Sequence, residues 1–122
     1  MSKKKVLIVD DEEGICDFMK DMFERKSCQA FISLDTEEAL DIFKREKPHV
    51  CIIDVHMPFS KFDGVELLRK IREIDKEAKC VIISRIDDSN KVEEAKSLGV
   101  YKYIFKPSSP EEIEKLVEEL SQ

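Results

Sequence analysis

Five short apolar runs punctuate the chain, at residues 6–9, 28–32, 50–53, 80–83 and 103–105. The first, third and fourth are nearly unbroken and rich in Val and Ile. Continuous rather than alternating apolarity predicts strands covered on both faces, as in a parallel sheet. The second and fifth runs are more mixed, which suits edge strands.

Between the runs the spacing becomes helical. Ile15, Phe18, Met19, Met22 and Phe23 recur at the interval of one helix face. Ala39, Leu40 and Phe43 do so behind a cap at Asp35 or Thr36. Val65, Leu68, Ile71 and Ile74 mark a third stripe after Asp63-Gly64. Val92, Ala95 and Leu98 mark a weaker fourth, which Gly99 is placed to end. Ile113, Leu116, Val117 and Leu120 form the fifth, opened by Ser109 as cap, Pro110 in the first turn and Glu112 closing a capping box. Strand and helix therefore alternate five times, the pattern of a doubly wound α/β layer with right-handed crossovers. There is no internal repeat, low-complexity stretch or linker, and residues 1–122 are expected to form one domain.

Composition narrows the class. Apolar residues make up 42% and charged residues 39%, as in a soluble globular chain rather than a disordered one. The net charge of −6 disfavours nonspecific binding to nucleic acid or to acidic membranes. The Lys3-Lys4-Lys5 run reads as a solvated chain end. Cys16, Cys28, Cys51 and Cys80 show neither CxxC nor metal-ligand spacing, so reduced, structural thiols in the cytoplasm are expected. No apolar run approaches the roughly 20 residues that span a bilayer, and no signal peptide is visible.

In open parallel sheets the working site lies beyond the carboxyl ends of the strands. Asp10 and Asp11 follow the first run, Asp54 the third, Ser84 the fourth, and Lys106 the fifth. Singly, each is an ordinary turn or cap residue. Together they place three carboxylates, a hydroxyl and an ammonium at one end of the sheet. Clustered carboxylates repel one another unless a cation joins them, and hard oxygen ligands with room for water suit Mg²⁺. A carboxylate can act as a nucleophile and form an aspartyl phosphate, with a lysine and a hydroxyl holding the transferred group.

At these residues the chain resembles the receiver domains of response regulators. The likeness is carried by Val6 through Glu12, by Asp54 with Met57-Pro58 and Asp63-Gly64, by Val81 through Ser84, and by Gly99 with Tyr103 through Pro107. It implies a flavodoxin-like, five-stranded parallel sheet in the order 2-1-3-4-5 with five helices. It implies a phosphorylation switch in two-component signalling rather than an enzyme, with Asp54 accepting a phosphoryl group from a histidine kinase or phosphotransfer protein. Asp11 and Asp54 would bind Mg²⁺, or Mn²⁺ in its place, with Asp10 acting mainly through water and the backbone carbonyl of His56 completing the set. Ser84 and Lys106 would hold the phosphoryl group. Tyr103 would turn inward when Ser84 moves, changing the face formed by the fourth helix, fifth strand and fifth helix. That face would bind an output partner or a second copy. The Lys106–Pro107 bond is expected to be cis.

Three departures from the family pattern stand out. Phe59, Ser60, Lys61 and Phe62 make the loop after Pro58 two residues longer than the commonest form. Arg85 follows Ser84 where a small residue is usual, and is expected to cover the acceptor. Lys102 takes a place that is often acidic. His56 is expected to face the entrance and His49 to be a loop residue. A degenerate receiver serving only as an interaction module is the alternative, against which the four intact chemical groups argue. An aspartate-nucleophile phosphatase would need a second Asp where His56 stands, and a flavin carrier would need a phosphate-cradling loop where the acidic Asp10-Asp11-Glu12 lies.

Overall fold

In the computed structural model, which describes residues 3–85, 89–106 and 109–122, the apolar runs become strands. They are β1 (Lys5–Val9), β2 (Gln29–Ser33), β3 (Val50–Asp54), β4 (Lys79–Ser84) and β5 (Lys102–Phe105). All neighbouring pairs are parallel and the order is β2-β1-β3-β4-β5. The sheet has the flavodoxin-like order expected from the sequence. The mixed runs are its two edges, and the continuous runs are interior strands buried on both faces. The expected cis bond before Pro107 lies outside the described residues.

Helices α1 (Glu13–Arg25) and α5 (Pro110–Leu120) cover one face, and α2 (Thr36–Glu46), α3 (Gly64–Ile74) and α4 (Ser89–Ser97) cover the other. Alternate residues of each strand feed the two cores. Val6 and Ile8 join Met19, Phe23, Val117 and Leu120, whereas Leu7 and Val9 join Phe43, Leu68 and Ile71. The caps hold the helices where sequence chemistry puts them. Asp35 accepts from the Glu38 N–H, Asp63 from the Glu66 N–H, and Ser109 with Glu112 closes a reciprocal capping box. Gly99 takes φ +74° just past α4.

Two helix stripes differ from their sequence reading. Phe18 is exposed and Cys16 is buried in its place, because α1 packs along the line Cys16, Met19, Phe23 between β1 and α5. In α3, Ile74 is exposed and Leu67 buried, so the covered face runs through Val65, Leu67, Leu68 and Ile71. All four cysteines are buried and free.

Candidate functional site

The parallel strands deliver their last residues to one edge. Asp54 ends β3 and Ser84 ends β4, so both belong to the strands rather than following them. Asp10 and Asp11 come directly after β1, and Lys106 directly after β5. The Lys106 N–H donates to the Ser84 carbonyl at 2.7 Å, which fixes the entry of the lysine into the site.

Carboxylate oxygens of Asp10, Asp11 and Asp54 lie within 4.8 Å of one another. Asp10 and Asp54 are 2% and 3% exposed, whereas Asp11 is open to solvent. The Lys106 Nζ reaches between the two buried acids, 2.9 Å from Asp10 Oδ2 and 3.5 Å from Asp54 Oδ2. The other Asp10 oxygen accepts from the Glu12 N–H at 2.9 Å, which folds the turn after β1 back on itself.

One ammonium against three carboxylates leaves the cluster negative, and the proton affinities report it. Burial pushes the Asp54 carboxyl up to about 6, the Asp10 charge adds to this, and Lys106 and the His56 backbone N–H pull the other way. Burial works against the charge on Lys106, yet its hydrogen bond to Asp10 and the charges of Asp10, Asp54 and Glu12 outweigh this and raise its pKa. The Cys16 thiol donates to the Asp10 carbonyl at 3.4 Å, and burial followed by the Asp10 charge pushes it up to about 12. It is a packing group, not a nucleophile.

Such a donor set fits a hard divalent cation. The oxygens are close, the set is under-neutralised, and the solvent-facing Asp11 leaves room for bound water. A buried carboxylate beside a lysine also suits nucleophilic attack on phosphorus, with the lysine offsetting charge on the transferred oxygens.

Ser84 is fully buried, and in the β4–β5 register its backbone pairs with Phe105. Tyr103, two residues back on the same edge strand, is half-buried, with its ring centroid 5.1 Å from that of Phe105. Arg85 pairs with Glu12 at 3.5 Å, and its side chain is 61% exposed. It lines, with Ile15, Met19, Ile83 and Ile113, a cavity of about 400 Å³ that also reaches Lys106. The expectation that Arg85 covers the acceptor thus meets a side chain engaged with the start of α1. His56 is exposed just after β3, and His49, whose Nδ1 accepts from the Lys5 N–H at 3.1 Å, lies at the start of that strand, far from the acids.

Two features of the site escaped the sequence reading. Gly64 packs so tightly on β3 that a Cβ there would stand 2.1 Å from the Asp54 carbonyl oxygen. The Asp63-Gly64 pair was a visible signal, but not its reason. Thr36 and Ser60 also meet across the β2–α2 and β3–α3 loops, a pairing to which only the unusual loop length pointed.

Known proteins share the family and the fold of this chain. A family model described as the response regulator receiver domain matches residues 6–118. Sporulation initiation phosphotransferase F of Bacillus subtilis is 31% identical over 93% of this chain and 90% of its own length. The alkaline phosphatase synthesis transcriptional regulatory protein PhoP of the same organism is 33% identical over 90% of this chain, which spans only 45% of that regulator. A receiver domain protein (CheY-like) from Methanospirillum hungatei superposes with a TM-score of 0.88 at 25% identity, covering 98% of this chain and 94% of that one.

Proposed function

Because the chain belongs to the response regulator receiver domain family, we propose that it is a phosphorylation switch whose acceptor is Asp54. The observation that carries this reading is the placement of Asp54: buried, 3.5 Å from the Lys106 ammonium, and within 4.8 Å of two further carboxylates. In the proposed reaction an Asp54 oxygen attacks the phosphorus of a phosphohistidine on a histidine kinase or phosphotransfer protein. The P–N bond breaks and the imidazole leaves. Lys106 then holds one phosphoryl oxygen, exchanging part of its contact with Asp10 and Asp54 for the new charge, and the Ser84 hydroxyl donates to another.

Asp11, Asp54 and the His56 backbone carbonyl would hold Mg²⁺ or Mn²⁺, with Asp10 acting mainly through a bound water. The cation would neutralise the carboxylates and the transferred group. The chain would change only its own phosphorylation state, as a signalling domain rather than an enzyme.

The output follows from the position of Ser84 in the sheet. When its hydroxyl turns to the phosphoryl oxygen it vacates space beside β5, into which the Tyr103 ring can rotate. Phosphorylation would shift a pre-existing equilibrium of the α4-β5-α5 face rather than build a new one. That face carries the exposed Tyr101 and Phe105 beside the Lys102–Glu119 ion pair, a mixed apolar and charged surface suited to an output partner or a second copy. The acidic balance argues against direct contact with nucleic acid or an acidic membrane surface, and a cytoplasmic location suits the four free thiols. Among the described residues no helix is long and apolar enough to cross a membrane.

Incubation with acetyl phosphate and Mg²⁺ tests the assignment. Intact-mass and peptide mass spectrometry should show one added phosphoryl group, on Asp54. Label retained in Asp54→Asn, or found elsewhere in the native chain, overturns it.

A further inference from the structure

The loop that joins β3 to α3 is anchored in an unusual way. At its base the Gly64 N–H donates to the Val55 carbonyl at 3.0 Å, and in its middle the Ser60 N–H donates to the Met57 carbonyl at 3.1 Å. From outside it is latched to the start of α2. The Ser60 hydroxyl donates to Asp35 Oδ1 at 3.1 Å and accepts from the Thr36 N–H at 3.1 Å. The Thr36 hydroxyl donates in turn to the Phe62 carbonyl at 2.7 Å.

Phe59 at the tip of this turn is 97% exposed, whereas Phe62 packs against the core, and the polar latch adds to that anchor. Thr36 itself is fully buried, so its hydroxyl is held in one place and the Phe62 carbonyl has a fixed partner. Inside the latched span, Val55 and Met57 are buried and bracket the exposed His56. The backbone of His56 is thereby pinned from both sides, with its N–H on the Asp54 carboxylate.

We infer that Thr36 and Ser60 are positioning residues for the cation: the bonds between Thr36 at the start of α2 and Ser60 in the loop fix the loop backbone that presents the His56 carbonyl to it. The inference rests on the cation reading above. Mg²⁺ demands near-octahedral geometry at short oxygen distances, so a carbonyl ligand on a long surface loop is useful only if the loop is held. Two extra residues loosen such a loop, and the latch restores its order. The hydroxyl at residue 60 must both donate and accept, which alanine cannot do. Asp35 keeps its own bond from the Glu38 N–H at 3.0 Å, so losing the Ser60 hydroxyl costs α2 the partner of the Thr36 N–H and leaves the Asp35 cap in place.

The test is Mg²⁺ affinity measured by isothermal titration calorimetry on folded variants, with far-ultraviolet circular dichroism confirming the fold. Ser60→Ala and Thr36→Val should each weaken Mg²⁺ binding by about tenfold, the low end of what outer partners of a metal site contribute. The Mg²⁺ concentration for half-maximal acetyl phosphate labelling should rise in step, while the rate at saturating Mg²⁺ is retained. Ser60→Thr and Thr36→Ser keep the hydroxyls and should bind like the wild type. Wild-type affinity in Ser60→Ala overturns the inference, as does equal weakening in the hydroxyl-keeping variants. Should Thr36→Val fail to fold, Ser60→Ala, in a surface turn, decides alone. If the wild type takes up no Mg²⁺, or Asp11→Ala binds as well as the wild type, the cation reading itself fails and the inference with it.

Discussion

A single methyl group at Gly64 should do more damage than most side-chain truncations in this chain. A Cβ there would lie 2.1 Å from the Asp54 carbonyl oxygen, 2.8 Å from its carbonyl carbon and 2.8 Å from Ile53 Cγ2. Two of those atoms are backbone of an interior strand, so no rotamer change relieves the contact. Either α3 lifts or the end of β3 shifts. Overpacking commonly costs about 1–3 kcal/mol, and opposition by backbone puts Gly64→Ala at about 3 kcal/mol or above. For a chain of 122 residues each kcal/mol moves the thermal midpoint by roughly 3–5 °C, so a fall of about 10–15 °C is expected. The other two glycines supply controls. Around Gly14, in the first turn of α1, nothing lies within 4 Å of an added Cβ, and Gly14→Ala should stabilise by about 0.5–1 kcal/mol. At Gly99 an added Cβ would meet only Arg72 Nε, at an unstrained 3.9 Å, but φ is +74°, so Gly99→Ala should cost about 1–2 kcal/mol from backbone conformation alone. Thermal and urea unfolding followed by circular dichroism reads all three. A Gly64→Ala midpoint within about 2 °C of the wild type, or greater damage from Gly14→Ala, refutes the close-approach argument.

Other outcomes follow from the same geometry. The Asp54 carboxyl, pushed up to about 6 chiefly by burial, binds its proton more tightly folded than unfolded, where its pKa is about 4. Stability should therefore fall as pH rises from about 4 to about 6. Without divalent cations, Asp54→Asn should exceed the wild type at pH 8 by on the order of 2–3 kcal/mol and match it at pH 4; equal urea midpoints at pH 8 contradict this. The four buried thiols, with Cys16 raised to about 12, should resist Ellman's reagent in the native chain and react fully in denaturant. Beryllofluoride with Mg²⁺ should move backbone amide resonances across α4, β5 and α5 as well as those of Asp10 and Asp54. Changes confined to the loops around those acids would remove that face as the output surface.

Local pattern carried the architecture because one force dominates it. Strands buried on both faces must be apolar throughout, so residues 6–9, 50–53 and 80–83 announce interior strands. Caps are equally local, and Asp35, Ser109 and Glu112 bond within their own helix starts. Because parallel strands all point one way, the residues at their ends had to meet, which is why Asp10, Asp11, Asp54, Ser84 and Lys106 could be grouped from sequence position alone.

What the chain order left open was decided by contacts between distant segments. An apolar stripe says which side of a helix is greasy, not how wide its neighbours are. Phe18 is exposed and Cys16 is buried because the surface offered by β1 and α5 sets the packing line of α1. The direction of Arg85 depended on where the start of α1 placed Glu12. The latch between Thr36 and Ser60 joins residues 24 apart, and the tight seat of Gly64 depends on how α3 docks against the end of β3. Sequence periodicity encodes burial one element at a time. Hydrogen bonds and close approaches between loops exist only once the sheet has closed in the order β2-β1-β3-β4-β5 and the helices have docked.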